Sequence, residues 1–417
     1  MNLHRRTFVQ SALAASLSVA PASRGAFAAN SDDTHAAIDA AAKRPVLKKE
    51  PFPDPVVLES VELLHHKGNF LSRVRSKDGA VGYSVSHNQK MADLYPIAVN
   101  RVLPFFAGKD ARELDALVDQ VYLHQSNYKL QGLALWIPLA TVEFAILDML
   151  GKIAGMSIGQ LLGGIHHKQI AIYQANNYRG LSAEESVQRI ERAVKQSSAQ
   201  AVKFKIGGRM QQPDRPSGRT EKLIPLLRET FGPKMTIYAD ANGAYDVPEA
   251  IRIGRLLQEQ NIDFYEEPVP FDWYEETKQV ADALEIPIAG GEQEPSLRNF
   301  RWLIGYRVLT ICQPDLFYFG GMIRSMRVAR MAAAAGLECT PHISGTGLGY
   351  LYMLHFVSAT PNAGPYHEFK GLSRGIPIQC DTSSLKSEAG RITVPTGPGD
   401  GLDIAPEFLK KHQVVKA

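Results

Sequence analysis

The amino-acid sequence predicts an α/β protein, a (β/α)8-type TIM barrel preceded by a smaller α+β unit. Three observations carry this. From residue 169 onward short apolar runs alternate with helix-patterned segments eight times. Those runs end in polar residues at a nearly constant interval. Residues 55–165 differ in kind, with alternating β patterning followed by helical periodicity.

Residues 1–28 read as a processing segment and not as part of the fold. MNLHRRTFVQSALAASLSVAPASRGAFAAN has a basic start, a run of small apolar residues and an A-x-A site at Ala26, Phe27 and Ala28. Arg5 and Arg6, followed by Thr7 and Phe8, look like a twin-arginine export signal, which predicts a periplasmic mature protein. The alternative is a membrane-anchoring helix, although the apolar stretch is short for a span. Cleavage removes three arginines and no acid, leaving Lys+Arg equal to the 43 Asp+Glu. A neutral mature chain offers no electrostatic case for nucleic acid or an anionic membrane. Cys312, Cys339 and Cys380 are too few, and odd in number, for a disulfide framework.

Residues 29–54 are polar, Ala-rich and then Pro-rich, and read as a linker or extended arm. VVLESVELLHH and NFLSRVRSKDGAVGYSVS alternate as strands, with Asp78-Gly79 as a hairpin turn. Helical periodicity follows in ADLYPIAVNRVLPFFAG, in ARELDALVDQVYLHQ and in PLATVEFAILDMLGKIAG, which closes at Gly155. The unit contains no evident catalytic constellation.

The eight strand candidates are IAIYQANN, VKFKI, MTIYAD, IDFYEE, IPIAGGE, VLTICQPD, LECTPH and PYHEF. A capping box at Ser182 and Glu185 opens the first intervening helix. A doubly wound open sheet is the alternative, but no Gly-rich phosphate fingerprint follows any strand.

Asp240, Glu266 and Glu292 end strands three, four and five in 26-residue steps. Equal steps of one βα unit bring three carboxylates together at the barrel mouth. Close carboxylates repel, and a divalent cation with oxygen ligands resolves this; Mg²⁺ suits such a set. A solvated rim of acids would explain any one of them. Asp315, His342 and Glu368 continue the ring on strands six to eight. A carboxylate on one imidazole nitrogen fixes the tautomer and raises the basicity of the other, so Asp315 and His342 are expected to pair.

In AVKFKIGG, Lys203 and Lys205 are two residues apart on strand two and share a face, directed at the carboxylates. An ammonium among acids and a metal is electrostatically managed, and partial desolvation makes Lys205 a usable general base.

VKFKIGG, IYADANGAYD, FYEEPVP, IAGGEQEP, CQPDLFYFGG, TPHISGTGLGY and HEF, in this order over residues 169–370, resemble the enolase superfamily and, within it, the mandelate racemase subgroup. VEFAILDMLGKIAGMSIGQLLGG resembles the closing segment of that family's capping domain, so the likeness spans the mature chain. It implies a modified, enolase-like barrel over 166–370, a capping domain over 55–165 and a C-terminal segment, 371–417, that returns to the cap. It further implies Asp240, Glu266 and Glu292 as Mg²⁺ ligands, Lys205 as acid/base on one face, and His342 with Asp315 on the other. Lys203 would sit near the substrate carboxylate, Asn242 near a hydroxyl, and Glu368 would hydrogen-bond the carboxylate as its charge grows. The muconate-lactonising subgroup carries a lysine after strand six, where this chain has Asp315.

The resemblance implies abstraction of the proton α to a carboxylate through an enediolate. The first expectation is dehydration of an acid sugar to a 2-keto-3-deoxy sugar acid by a hydro-lyase. The alternatives are a racemase, epimerase or cycloisomerase and, from another class, an inactive exported binding protein. Its partner is a small-molecule carboxylate, and the family habit is homo-oligomeric. Specificity is expected from LLHHKGN and SVSHNQK, which offer His65, His66 and His87, and from the loop after strand two, which offers Arg209 and Arg215 for a distal carboxylate. The same histidines also suit a plain surface role.

Overall fold

The computed structural model describes residues 31–344, 348–369 and 376–416. The expected export segment, 1–28, lies outside the described residues.

Antiparallel strands β1 (Leu58–His66), β2 (Asn69–Ser76) and β3 (Val81–Val85) form the cap sheet with a fourth, C-terminal strand, Gln413–Val414. Asp78-Gly79 turns the second hairpin, with Gly79 N–H donating to Ser76 O at 2.9 Å. Helix Leu133–Ala154 lies across the sheet and ends where Gly155 adopts φ +63°. Gly82 of β3 lets it approach, because a Cβ there would collide with the Ala145 carbonyl. This helix is long and apolar enough to cross a membrane, but 89% of its apolar window is buried in the protein core.

The tight turn Lys67-Gly68 joins β1 to β2, both residues at positive φ. LLHHKGN, expected to contribute specificity from the cap, is therefore strand end plus turn. Residues 31–43 also differ from expectation. They form a helix, Ser31–Lys43, in place of an extended arm. Its alanines favour helix, and it buries Ile38 and Ala41 against helices Leu297–Gly305 and Met322–Ala334. Asp39 is clamped by Arg301, with Nη2 at 2.9 Å.

The barrel strands are β4 (Gln169–Ala175), β5 (Ala201–Lys205), β6 (Thr236–Asp240), β7 (Phe264–Glu266), β8 (Ile288–Gly290), β9 (Ile311–Cys312), β10 (Glu338–Cys339) and β11 (His367–Phe369). Each pairs in parallel with the next from β4 to β10, and β11 pairs with β4 at Glu368↔Tyr173. Cys339 N–H donates to Asn362 O at 3.0 Å and bridges the remaining gap. The result is a TIM-barrel-like α/β fold with an N-terminal cap.

Alternation on the strands sorts the side chains. Val202, Phe204 and Ile206 face the surrounding helices, packing with Ile190, Leu223 and Leu227. Tyr173, Tyr238, Phe264 and Ala289 fill the barrel interior. Cys312 and Cys339 are buried free thiols, and Cys380 is also free. The C-terminal stretch crosses back to the cap, where Gln413–Val414 pairs with β1.

Candidate active site

Register sets the site. Lys205 pairs with Asp240 and Asp240 with Glu266 across β5, β6 and β7, so the three side chains stand level at the carboxyl end of the barrel. Lys203 Nζ donates to Glu266 Oε2 at 2.8 Å and Oε1 at 3.0 Å, and lies 3.8 Å from Asp240 Oδ2. It also stands 5.2 Å from the centre of the Tyr173 ring. Lys205 Nζ donates to Asp240 Oδ2 and, at 3.3 Å, to Asn242 Oδ1. All four charged groups are buried.

Burial this deep is tolerated because the charges pair. Burial would push the Asp240 carboxyl up, yet Lys205, Lys203 and Arg179 outweigh it and hold the group below the usual carboxylate range. Glu266 goes the other way: burial and the Asp240 charge raise it to about 7, against the pull of Lys203. Burial works against the Lys203 ammonium, but the Glu266 charge keeps it well above its ordinary value.

Opposite the lysines, His342 Nδ1 lies 2.6 Å from Asp315 Oδ2, and Nε2 is 3.3 Å from both Glu292 and Glu368. Asp315 accepts backbone N–H bonds from Phe317 and Tyr318 at 2.8 Å and from Ser344 at 2.7 Å. It is thus a fixed acceptor, and His342 carries its proton toward it on Nδ1. Desolvation alone would lower the imidazole; the charges of Glu292 and Glu368 and the Asp315 hydrogen bond raise it to about 9. The expected pairing of Asp315 with His342 is therefore present, and Glu368 stands beside it. His367 turns away and bonds Gly364 O at 2.9 Å.

The two cap histidines part company. His87 is buried, stacks on Tyr318 and meets Phe317 edge-on, each at 5.8 Å between ring centres. It caps helix Asn88–Ile97 and lies close enough for the Asp315 charge to act on it. His65 is not brought to this cluster. It is exposed at the end of β1, accepts from Gly68 N–H at 3.2 Å and packs on Phe70, because the two-residue turn ends the hairpin there. His66 meets His412 instead, 5.4 Å between ring centres. Arg209 and Arg215 are exposed, on a loop tied to the one after β6 through Met210 N–H and Asn242 O at 3.0 Å.

Several contributors went unread in the sequence. Gln313 donates to Glu266 Oε2 at 3.1 Å. Glu267, the second acid of FYEEPVP, accepts from Asn242 Nδ2 at 3.1 Å. Arg179 donates to Asn242 Oδ1 at 3.0 Å. Gln313 had a signal, since it precedes Asp315 by two residues and shares its inward direction. Arg179 lies in a loop and had none.

Among the described residues, no three His, Cys, Asp or Glu side chains form a ready metal cage. The ammonium groups of Lys203 and Lys205 sit on the oxygens of Glu266 and Asp240. The donor chemistry nevertheless fits a hard divalent cation. Asp240, Glu266 and Glu292 supply only carboxylate oxygen, the donor type such a cation takes.

A family model described as "Enolase C-terminal domain-like" matches residues 185–408. The arabinonate dehydratase of Saccharolobus solfataricus is 28% identical over 343 residues, covering 82% of this chain and 90% of that one. Among solved structures, a racemase candidate from Roseobacter denitrificans superposes with a TM-score of 0.78 at 32% identity, over 86% of this chain and 99% of the other. A mandelate racemase/muconate lactonizing protein from Paracoccus denitrificans, solved in complex with magnesium, gives 0.77 at 25%, over 87% and 98%. The chain belongs to the enolase C-terminal domain-like family, in the mandelate racemase subgroup of the enolase superfamily.

Proposed function

We propose that this protein is a Mg²⁺-dependent hydro-lyase that converts an acid sugar into a 2-keto-3-deoxy sugar acid. The observation that carries the reading is the placement of Lys205 and the His342–Asp315 pair on opposite sides of one carboxylate cluster. The kinship with an arabinonate dehydratase supports it.

Asp240, Glu266 and Glu292 would hold the cation. When bound, it supplies Lewis-acid stabilisation of the charge that develops on the substrate carboxylate. Lys203, buried and doubly bonded to Glu266, presents a fixed positive charge to the same carboxylate. Lys205, as the neutral amine, takes the C2 proton on Nζ and becomes the ammonium. The C2–H electron pair moves into the carboxylate system and then forms the C2=C3 bond as the C3 hydroxyl departs. His342, raised above its ordinary value by Glu292, Glu368 and the Asp315 hydrogen bond, gives its Nε2 proton to the leaving hydroxyl, which departs as water. The enol product tautomerises to the 2-keto acid. Glu368 faces His342 Nε2 and is placed to bond the carboxylate; His87 packs on Phe317 and Tyr318, whose N–H groups hold Asp315.

A second reading, racemisation or epimerisation at C2, uses the same two bases. Its support is the 32% identity to the Roseobacter protein described as a racemase candidate. Purified protein with Mg²⁺ and a panel of mono- and diacid sugars separates the two: semicarbazide detects the keto acid, polarimetry the epimer. No keto acid from any member of the panel would reject the hydro-lyase reading.

The twin-arginine leader places this chemistry outside the inner membrane in our reading. Cell fractionation of an Arg5→Lys, Arg6→Lys chain tests it: retention in the cytoplasm is expected, and unchanged export would refute it.

A further inference from the structure

We propose that Arg179 is a positioning residue for Lys205, fixing the Asn242 carboxamide in the orientation that accepts from Lys205 Nζ. The inference rests on the reading of Lys205 as the base.

Arg179 follows β4 on a loop whose backbone is locked. Tyr178 N–H donates to Asn176 Oδ1 at 3.0 Å, and Asn176 Nδ2 donates to Lys203 O at 2.7 Å. Arg219 donates to Tyr178 O at 2.6 Å and to Lys205 O at 2.9 Å. From this base the Arg179 side chain crosses the ends of two strands. Its Nε donates to Gly207 O at 3.1 Å, and its Nη2 donates to Asp240 O at 3.3 Å and to Asn242 Oδ1 at 3.0 Å.

That last oxygen is the one Lys205 approaches at 3.3 Å, while Asn242 Nδ2 donates to Glu267 Oε2 at 3.1 Å. Two donors on Oδ1 and an acceptor on Nδ2 leave one orientation. A flipped carboxamide would set its NH₂ group against two cations and its oxygen against a carboxylate. Asn242 also sits at φ +46°, which fixes where the side chain starts.

Lys205 needs this guidance because its charge rides on a flexible four-carbon stem and points wherever its acceptors hold it. Asp240 alone draws it onto a proposed metal ligand; Asn242 gives it a second anchor. Arg219 provides the contrast. It grips main-chain carbonyls and the Ser186 hydroxyl, whereas Arg179 reaches a side chain that touches Lys205. Among the described residues, Arg179 hydrogen-bonds no carboxylate: its fork holds the Gly207, Ile206 and Asp240 carbonyls and the Asn242 amide, and its charge acts on Asp240 from there.

The test has two arms on Arg179→Met and Arg179→Lys, with Lys205→Ala as reference. The first is crystallographic. In Arg179→Met, Asn242 Oδ1, with one donor fewer, is expected to shift away from Lys205 without an amide flip, because Nδ2 stays on Glu267, while the Cα positions of β6 stay in place; an unmoved Asn242 overturns the proposal. The second follows α-proton exchange in D₂O with the C2 epimers galactonate and talonate, in the presence of Mg²⁺. Arg179→Met should lose about 10–100-fold on the epimer that Lys205→Ala cannot exchange and less than about twofold on the other, with partial recovery in Arg179→Lys. Equal loss on both epimers, or no loss, overturns it. Retained exchange in Lys205→Ala on both epimers overturns the proposed function and this role together. If the wild type exchanges neither epimer, the crystal structures alone decide the Arg179 assignment.

Discussion

His342 Nδ1 stands 2.6 Å from Asp315 Oδ2 while its other nitrogen faces Glu292 and Glu368, each at 3.3 Å. One ring is therefore held by a carboxylate that accepts three backbone N–H bonds and aimed by that grip at the reaction centre. Neither function needs Asp315 to touch substrate.

Replacing Asp315 with Asn sets an NH₂ group where Nδ1–H must donate or where a backbone N–H already does. Dehydration is expected to fall on the order of 10²–10⁴-fold, with Mg²⁺ affinity unchanged by calorimetry. The pH profile checks the cause. In the folded chain Glu292, Glu368 and the Asp315 hydrogen bond outweigh desolvation and raise the imidazole above its ordinary 6.5, so the acid form persists at neutral pH and is lost as pH rises through the raised value. The wild-type rate should fall along that alkaline limb, and the limb should move to lower pH in Asp315→Asn. An unmoved limb contradicts the assignment of His342 as the acid.

Lys203→Met tests the buried ion pair. Removing the ammonium leaves Glu266 buried with Gln313 as its remaining donor, and breaking such a pair costs about 3–5 kcal/mol. Denaturant unfolding in EDTA should show a loss of that order, and saturating Mg²⁺ should recover part of it. The variant should also raise KM for the acid sugar, because the carboxylate loses a fixed charge. Unchanged stability and KM would remove Lys203 from the site.

Metal binding has its own readout. In the wild type Mg²⁺ should raise the melting temperature with saturation; in Asp240→Asn and Glu292→Gln the shift should fall at least tenfold in apparent affinity. Isothermal calorimetry on unfrozen, freshly chelated protein measures it. An intact Mg²⁺ response in both variants contradicts the ligand set.

Glu143 joins the two domains and gives a prediction about stability alone. From helix Leu133–Ala154 it accepts the Met322 N–H at 2.5 Å and the Ile323 N–H at 2.8 Å, at the start of helix Met322–Ala334. Gly321 admits it, since a Cβ there would collide with the carboxylate. Burial raises the Glu143 carboxyl from 4.5 to about 8, against those two hydrogen bonds. The folded chain then binds this proton more tightly than the unfolded one, so its contribution is full below about 4.5 and falls as pH rises through about 8. The slope is at most about 1.4 kcal/mol per pH unit. Glu143→Gln should flatten the decline in unfolding free energy between pH 5 and 8; an identical slope in the two proteins contradicts it.

The barrel was legible in the sequence because each strand announced itself twice, by an apolar run and by the polar residue ending it. The inward pair Lys203 and Lys205 needed only strand alternation, and Asp240, Glu266 and Glu292 needed only the regular βα step. What stayed hidden depends on loops or on tertiary contact. Arg179 lies on a loop whose course is set by Arg219 and Asn176, far along the chain or at the strand edge. The polar and Pro-rich residues around it hid the helix at Ser31–Lys43, whose Ile38 and alanines find their partners on barrel helices. His65 and His87 looked alike as cap histidines; a two-residue turn keeps one on the exterior, and a helix cap carries the other to Tyr318.

The central claim is that Lys205 removes the α-proton of a carboxylic acid in this barrel. It is tested most directly by NMR-detected exchange of that proton in D₂O, with Mg²⁺ present, on the acid sugar that the wild type turns over. Lys205→Ala should lose at least about 10³-fold in exchange and turnover while keeping its Mg²⁺ response. Full exchange and turnover in Lys205→Ala would contradict the account.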